Sequence, residues 1–207
     1  MTTVLIPTKN RPDKLLRCVG SLPVSVRVSI HATCEKDLPR AILDRTNTTI
    51  SFGPENVVSA FNLLAQSSAG NVLYASDDAE FTPDCIPEAE AALLTARHMV
   101  GLKVVNMKAN KDAFALVGRE MIQERGHLFD PRFIHFFSDT ELGLYAERRG
   151  LFVHCPTAHI INHHPSSSGE YDATHRDLRM VKWRHDKKVW DSIRGISPAQ
   201  QPPTPQT

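Results

Sequence analysis

The sequence predicts an α/β domain built on a mostly parallel sheet. Short apolar runs alternate with amphipathic stretches through the first half of the chain, and Pro, Gly, Asn or Asp punctuates each change. The totals suit one ordinary globular core: 207 residues, 41% apolar, with 24 Lys+Arg against 23 Asp+Glu.

Residues 3–7, "TVLIP", form a strand that begins almost at the N-terminus. "TKNRP" is then a loop, and behind Pro12 the residues Leu15, Leu16, Val19 and Leu22 fall at helical spacing. "SVRVSIHA" (25–32) alternates as a second strand, "LPRAILD" is one helical turn or two, and "TTISF" (48–52) is a third strand. In "PENVVSAFNLLAQSS", Val57, Val58, Phe61 and Leu64 make a helical stripe with Leu63 at its edge, and Gly70 reads as the stop. A fourth strand, Val72 to Ala75, runs into Asp77 and Asp78. "PDCIPEAEAALLTA" is helical, with Pro87 tolerated in the first turn.

The second half begins with strands at 98–105 and 112–118 and a short helix, "REMIQERG". "HLFDPRFIHFF" is an aromatic-rich loop with some extended structure. Residues 138–150 form a helix whose Asp139 near the start, Arg148 and Arg149 near the end and Gly150 stop suit the helix dipole. "LFVHCP" and "AHIINHH" read as two strands, and "THRDLRMVKWRHDKKVWDSI" as a terminal amphipathic helix. The tail, 196–207, is Pro-rich, too poor in apolar residues to fold, and expected to be disordered.

Several classes are disfavoured at once. A formal net charge of +1 gives no argument for nucleic acid or an anionic membrane as partner. The four cysteines, Cys18, Cys34, Cys85 and Cys155, form no CxxC pair and no zinc spacing, and read as structural thiols of a reducing compartment. No signal peptide and no apolar run long enough for a transmembrane segment are visible, so a cytoplasmic protein is expected. Neither GxxxxGK[ST] nor GxGxxG follows the first strand, which argues against P-loop hydrolases and Rossmann dehydrogenases. "PTKNRPDK" has no glycine, which counts against a nucleotidyltransferase-like nucleotide-sugar enzyme, the nearest enzymatic alternative.

In parallel sheets ligands gather at the carboxyl ends of strands, where both "TKNR" and "SDDAE" lie. Asp77 and Asp78 are hard oxygen ligands suited to Mg²⁺ or Mn²⁺, or else a solvated turn; Glu80 is set aside as a bystander. Asp139 is either a general base or a helix N-cap. Ser138, with Glu141 three residues on, offers a capping box that would free it, and Glu141 is the fallback base. His163 and His164 are ligands or hydrogen-bonded core histidines.

Four segments in order resemble family 2 glycosyltransferases, the inverting group with the GT-A fold: "VLIPTKNRPDKLLRCVGSL", "LYASDDAEFTPDCI", "NKDAFALVGREMIQERGHLFDPRFIHFFSDTELGLYAERRG" and "AHIINHHPSSSG". The resemblance spans residue 3 to about 190 and implies one domain, 1–195. A nucleotide-sugar donor half (about 1–97) would be followed by an acceptor half with the terminal helix (98–195). It implies that Pro7, Thr8, Asn10 and Arg11 belong to the nucleotide-binding loop, Asp77 touches ribose or sugar, and Asp78 coordinates Mn²⁺ or Mg²⁺. Asp139 would be the general base, and His163, with His164 in reserve, would stand near the metal. The partners implied are a nucleoside-diphosphate sugar and a glycan, lipid-linked or other hydroxyl acceptor; a nucleic-acid acceptor is conceivable but unsupported by the charge. A non-catalytic binding protein of the same fold is the rival from another class.

The second strand departs from the family. Many relatives end it in consecutive aspartates, one of which recognises the base, whereas this chain has "VSIHATCEKD", with His31, Thr33, Glu35 and Asp37 nearby. The donor is therefore open among UDP-, GDP- and dTDP-sugars. His175 or Arg176 is assigned to the diphosphate. The terminal helix, with Leu178, Val181, Trp183, Val189 and Trp190 apolar, is expected to pack on the domain rather than bind a membrane surface.

Overall fold

The computed structural model describes residues 1–106, 112–164 and 179–195. Its first strand, β1 (Thr2–Thr8), buries Val4, Leu5 and Ile6 completely. Alternation along the strand sends Val4 and Ile6 to one face and Leu5 to the other, so β1 needs cover on both sides. The helices supply it. α1 (Pro12–Gly20), α2 (Arg40–Leu43) and α4 (Cys85–Ala92) pack on the Val4 face. α3 (Val57–Ser67), α5 (Arg119–Arg125), α6 (Ser138–Arg148) and α7 (Arg179–Ile193) cover the Leu5 face.

The remaining strands are β2 (Arg27–Ala32), β3 (Thr48–Phe52), β4 (Asn71–Tyr74), β5 (Ala79–Phe81), β6 (Met99–Val104), β7 (Ala115–Val117) and β8 (Phe152–Asn162). They form one eight-stranded mixed sheet in the order β3-β2-β1-β4-β7-β6-β8-β5. β3, β2, β1 and β4 are mutually parallel, so their carboxyl ends share one rim. β7 is antiparallel to β4 and β6, β8 is parallel to β6, and β5 is antiparallel to β8. This is the single α/β domain expected, with a curled mixed sheet flanked by helices.

Three local expectations change. β5, unrecognised in the sequence, comes directly after the acidic pair and returns the chain to β8. The two strands expected around Pro156 are one, because 156–158 bulge out where the pairing steps from Leu102↔Cys155 to Lys103↔His159; a proline has no N–H to give the ladder. The aromatic-rich loop 127–137 is turns and bends without a strand. The tail 196–207 and the stretch with His175, Arg176 and Leu178 lie outside the described residues.

Glycine matters where backbones approach closely. α3 ends at Ser67, before Gly70, and a Cβ on Gly70 would stand 2.3 Å from the Met1 carbonyl oxygen. Gly118 is more constrained: its Cβ would lie 2.2 Å from the Ala96 carbonyl oxygen, which accepts from the Glu120 and Met121 N–H groups and so caps α5. Gly118→Ala should therefore cost about 1–3 kcal/mol in urea denaturation, as overpacking does.

Candidate active site

The loop after β1 is shaped by one buried acid. Asn10 takes a left-handed conformation (φ 57°), and its N–H donates to Asp37 Oδ1 at 2.7 Å. Asp37, 1% exposed, also accepts from Cys34 N, so its carboxylate is spent on backbone rather than offered to a nucleobase. His31, at the carboxyl end of β2 opposite Pro7, is buried and bridges Ser51 Oγ (2.9 Å) and Glu55 Oε2 (2.8 Å).

The turn at Asn10 aims Arg11 at the acidic pair. Arg11 Nη1 donates to Asp77 Oδ1 at 3.1 Å and stands 3.8 Å from Asp78 Oδ2. The Thr8 hydroxyl donates to the other oxygen of Asp77 at 2.9 Å. Burial pushes the Asp77 carboxyl up to about 6, and the Asp78 charge adds to this while Arg11 and Thr8 oppose it. Asp78 is 1% exposed. Its Oδ1 accepts from the Ser76 hydroxyl, whereas buried Oδ2 has no hydrogen-bond partner among the described residues. Beneath the pair the Cys18 thiol, in contact with the Ser76 carbonyl, is raised far above its usual value by burial and by both aspartates. It is a structural thiol without nucleophilic character.

β8 brings His163 alongside: its N–H donates to the Asp78 carbonyl at 2.9 Å. The imidazole turns to Glu80, with Nε2 2.7 Å from Oε2, so the expected bystander is the histidine's partner. The His164 N–H donates to Asn162 Oδ1. Among the described residues no three His, Cys, Asp or Glu side chains converge as a ready-made metal cluster.

Asp139 lies in the first turn of α6. The capping box does not form: Phe137 is the N-cap, left-handed at φ 63°, with no side-chain cap. Ser138 and Glu141 are buried, and the Glu141 carboxylate accepts two hydrogen bonds from the Arg125 guanidinium, at 2.6 and 3.3 Å. That removes Glu141 as a base. Glu141→Ala, which strands the Arg125 charge, should cost about 3–5 kcal/mol on chemical denaturation. Asp139 itself accepts from Thr140 N at 2.8 Å and keeps part of its surface open. Burial, then the neighbouring Asp112 charge, raises its carboxyl to about 6. Asp112 fits there because α6 carries Gly143, whose Cβ would lie 2.8 Å from Asp112 Oδ2. The Tyr74 hydroxyl donates to the Asp112 carbonyl, and it is made a much weaker acid than usual by burial first and then by the charges of Asp139 and Asp112. Tyr74 closes β4, so Asp139 and the Asp77–Asp78 pair are both tied to the carboxyl end of that strand.

Two acids have roles that the linear reading missed. Asp112 gained no notice because its partner lies 27 positions away in sequence. Asp186, in the middle of α7, is 0% exposed and accepts backbone N–H groups from the loop before α6. The available signal was spacing: Asp186 precedes Trp190 by four residues and Ile193 by seven, which places an acid in a core-facing stripe. Val181 and Trp183, expected to pack, are 69% and 39% exposed. α7 also approaches the first loop, since the Lys182 ammonium is held below its usual range by burial and by the Lys9 charge.

No protein-family model matches the chain, and no curated protein does. Solved structures do. TarS residues 1–349 from S. aureus match at TM-score 0.64 and 12% identity, covering 94% of this chain and 75% of that one. A longer TarS structure matches at TM-score 0.65 and 12% identity, covering 94% of this chain and 46% of that one. TarS 1–349 in complex with UDP-GlcNAc matches at TM-score 0.62 and 11% identity, covering 92% of this chain and 66% of that one. The chain thus spans between about half and three quarters of the length of these neighbours, and TarS is a glycosyltransferase. At such low identity the likeness speaks for architecture: the chain has a glycosyltransferase fold.

Proposed function

We propose that this chain is a family 2-type inverting glycosyltransferase that moves a sugar from a nucleoside-diphosphate sugar to an acceptor hydroxyl with the help of Mn²⁺ or Mg²⁺. The observation that carries the reading is the buried Asp77–Asp78 pair at the carboxyl rim of the parallel strands, with one Asp78 oxygen that has no hydrogen bond among the described residues. Such an oxygen fits a hard divalent cation. Mg²⁺-type ions take one or two carboxylates and complete their shell with water and substrate phosphates, so no third protein ligand is required. In this reading Asp78 would be the primary ligand, Asp77 would face the ribose or sugar, and His163 would stand near the ion. The metal supplies charge stabilisation for the departing nucleoside diphosphate.

The rest falls to the protein. Thr8, Asn10 and Arg11, with Pro7 behind them, form the donor loop, and Arg11 brings a positive charge toward the diphosphate. Asp139, raised to about 6, is unprotonated at neutral pH yet basic enough to take the acceptor's proton. Displacement in one step needs a base rather than a protein nucleophile, and it inverts the anomeric centre. A UDP-sugar is the first donor to try, since the TarS neighbour was solved with UDP-GlcNAc. The acceptor is a glycan, lipid-linked or other hydroxyl. Among the described residues no helix is long and apolar enough to cross a membrane; a cytoplasmic site of action is part of the proposal.

The test is a binding and turnover screen over UDP-, GDP- and dTDP-sugars with Mn²⁺ or Mg²⁺. Metal-dependent donor binding with turnover supports the reading. Donor binding without turnover on any acceptor indicates a non-catalytic binding protein, and donor binding indifferent to metal and to Asp78 overturns the scheme.

A further inference from the structure

α7 does more than cover the sheet. Asp186 Oδ1 accepts from Ile134 N at 2.9 Å, and Oδ2 accepts from His135 N at 2.8 Å and Phe136 N at 2.7 Å. Three consecutive N–H groups aimed at one carboxylate form an anion nest. Here the anion is a side chain from 50 residues downstream. The next residue, Phe137, is the left-handed one, and its ring lies parallel to Trp190 of α7, with centroids 6.0 Å apart and planes within 6°. His185 Nε2 lies 3.1 Å from the Arg132 carbonyl. α7 therefore grips the loop by backbone and side chain immediately before α6 starts.

We infer that Asp186 is a positioning residue for the reaction: by holding the N–H groups of 134–136 it sets the start of α6 and with it the place of Asp139. This rests on the reading of Asp139 as the base. Among the described residues, the hydrogen bonds of the Asp139 carboxylate go to Thr140, its own neighbour in the helix. Its location therefore follows the first turn of α6. That turn is launched from a conformation that a phenylalanine rarely adopts and that persists only when its surroundings hold it. Asp186, through the three residues before Phe137, and Trp190 and Trp183, through its ring, belong to those surroundings. An apolar residue at 186 would continue the stripe formed by Val189, Trp190 and Ile193, but would leave three donors without their acceptor.

Asp186→Asn is the sharpest test. The amide is isosteric, yet its NH2 must face at least one of the three N–H donors. The amides of Ile134, His135 and Phe136 should exchange slowly in the wild type and at least roughly tenfold faster in the variant. With donor KM within about twofold, kcat should fall roughly 10- to 100-fold, the effect of misplacing a reacting group by about an ångström. Trp190→Leu, which keeps the carboxylate and removes the stack on Phe137, should move kcat alone in the same direction; it decides the question if Asp186→Asn does not fold. Unchanged exchange at 134–136 overturns the clamp. Faster exchange with kcat within twofold of wild type, or a kcat loss matched by an equal rise in donor KM, overturns the positioning role. Absence of turnover in the wild type would instead strike the assignment of Asp139, and hydrogen exchange still decides whether the clamp exists.

Discussion

Asp139→Asn should lower kcat by roughly 10²- to 10⁴-fold while leaving metal-dependent donor binding intact, the loss expected when a general base is removed. The same change should make the protein more stable at neutral pH. The Asp139 carboxyl rises from 3.8 to about 6 in the folded chain, so the folded state holds its proton more tightly than the unfolded state does. Below 3.8 both states are protonated and the group contributes nothing. As pH rises through the window up to about 6, the unfolded chain ionises first and the folded state loses ground; above it the full penalty stands. Partial exposure screens some of that penalty, which leaves a gain of roughly 1–2 kcal/mol for Asp139→Asn at pH 8 and none near pH 4. Wild-type kcat should rise with pH through about 6 and then level off, and the variant should lose the part of that limb that belongs to Asp139, since the Asp77 carboxyl also lies at about 6. Equal turnover in the two proteins, or a variant less stable at pH 8, would refute the assignment.

Asp78→Ala should abolish turnover together with metal-dependent donor binding. A metal that offsets the charge of the leaving diphosphate contributes several kcal/mol, so the loss should be about a thousandfold or more. Titration calorimetry with Mn²⁺ and the donor separates this variant from Asp139→Asn, which should still bind both. The removal also takes a like charge away from Asp77 and Cys18, so both groups should titrate at lower pH than in the wild type. A variant that binds donor as the wild type does would show that Asp78 holds no ion in function.

Much of the architecture was legible because it is periodic. Leu15, Val19 and Leu22 mark the buried side of α1 and the turn after it, Val58, Phe61 and Leu64 mark α3, and "TTISF" is β3 residue for residue. β5 was not legible, since three residues do not make a pattern and its pairing to β8 joins positions far apart in sequence. The division of "LFVHCPTAHIINHH" into two strands failed because Pro156 signals a break equally well whether the strand ends or bulges.

By itself, then, the sequence determined the α/β class, the order of most elements and the presence of acids at a strand's carboxyl end, because burial patterns and turn residues are local. Only the tertiary structure decided what each acid does. Asp37 is consumed by the Asn10 loop, Glu141 by Arg125, and Asp186 by three N–H groups of a loop 50 residues away, while among the described residues Asp78 keeps one oxygen without a hydrogen bond. The physical reason is that a carboxylate's role depends on which donors and charges meet it across the fold, and those partners lie tens of residues away in the chain.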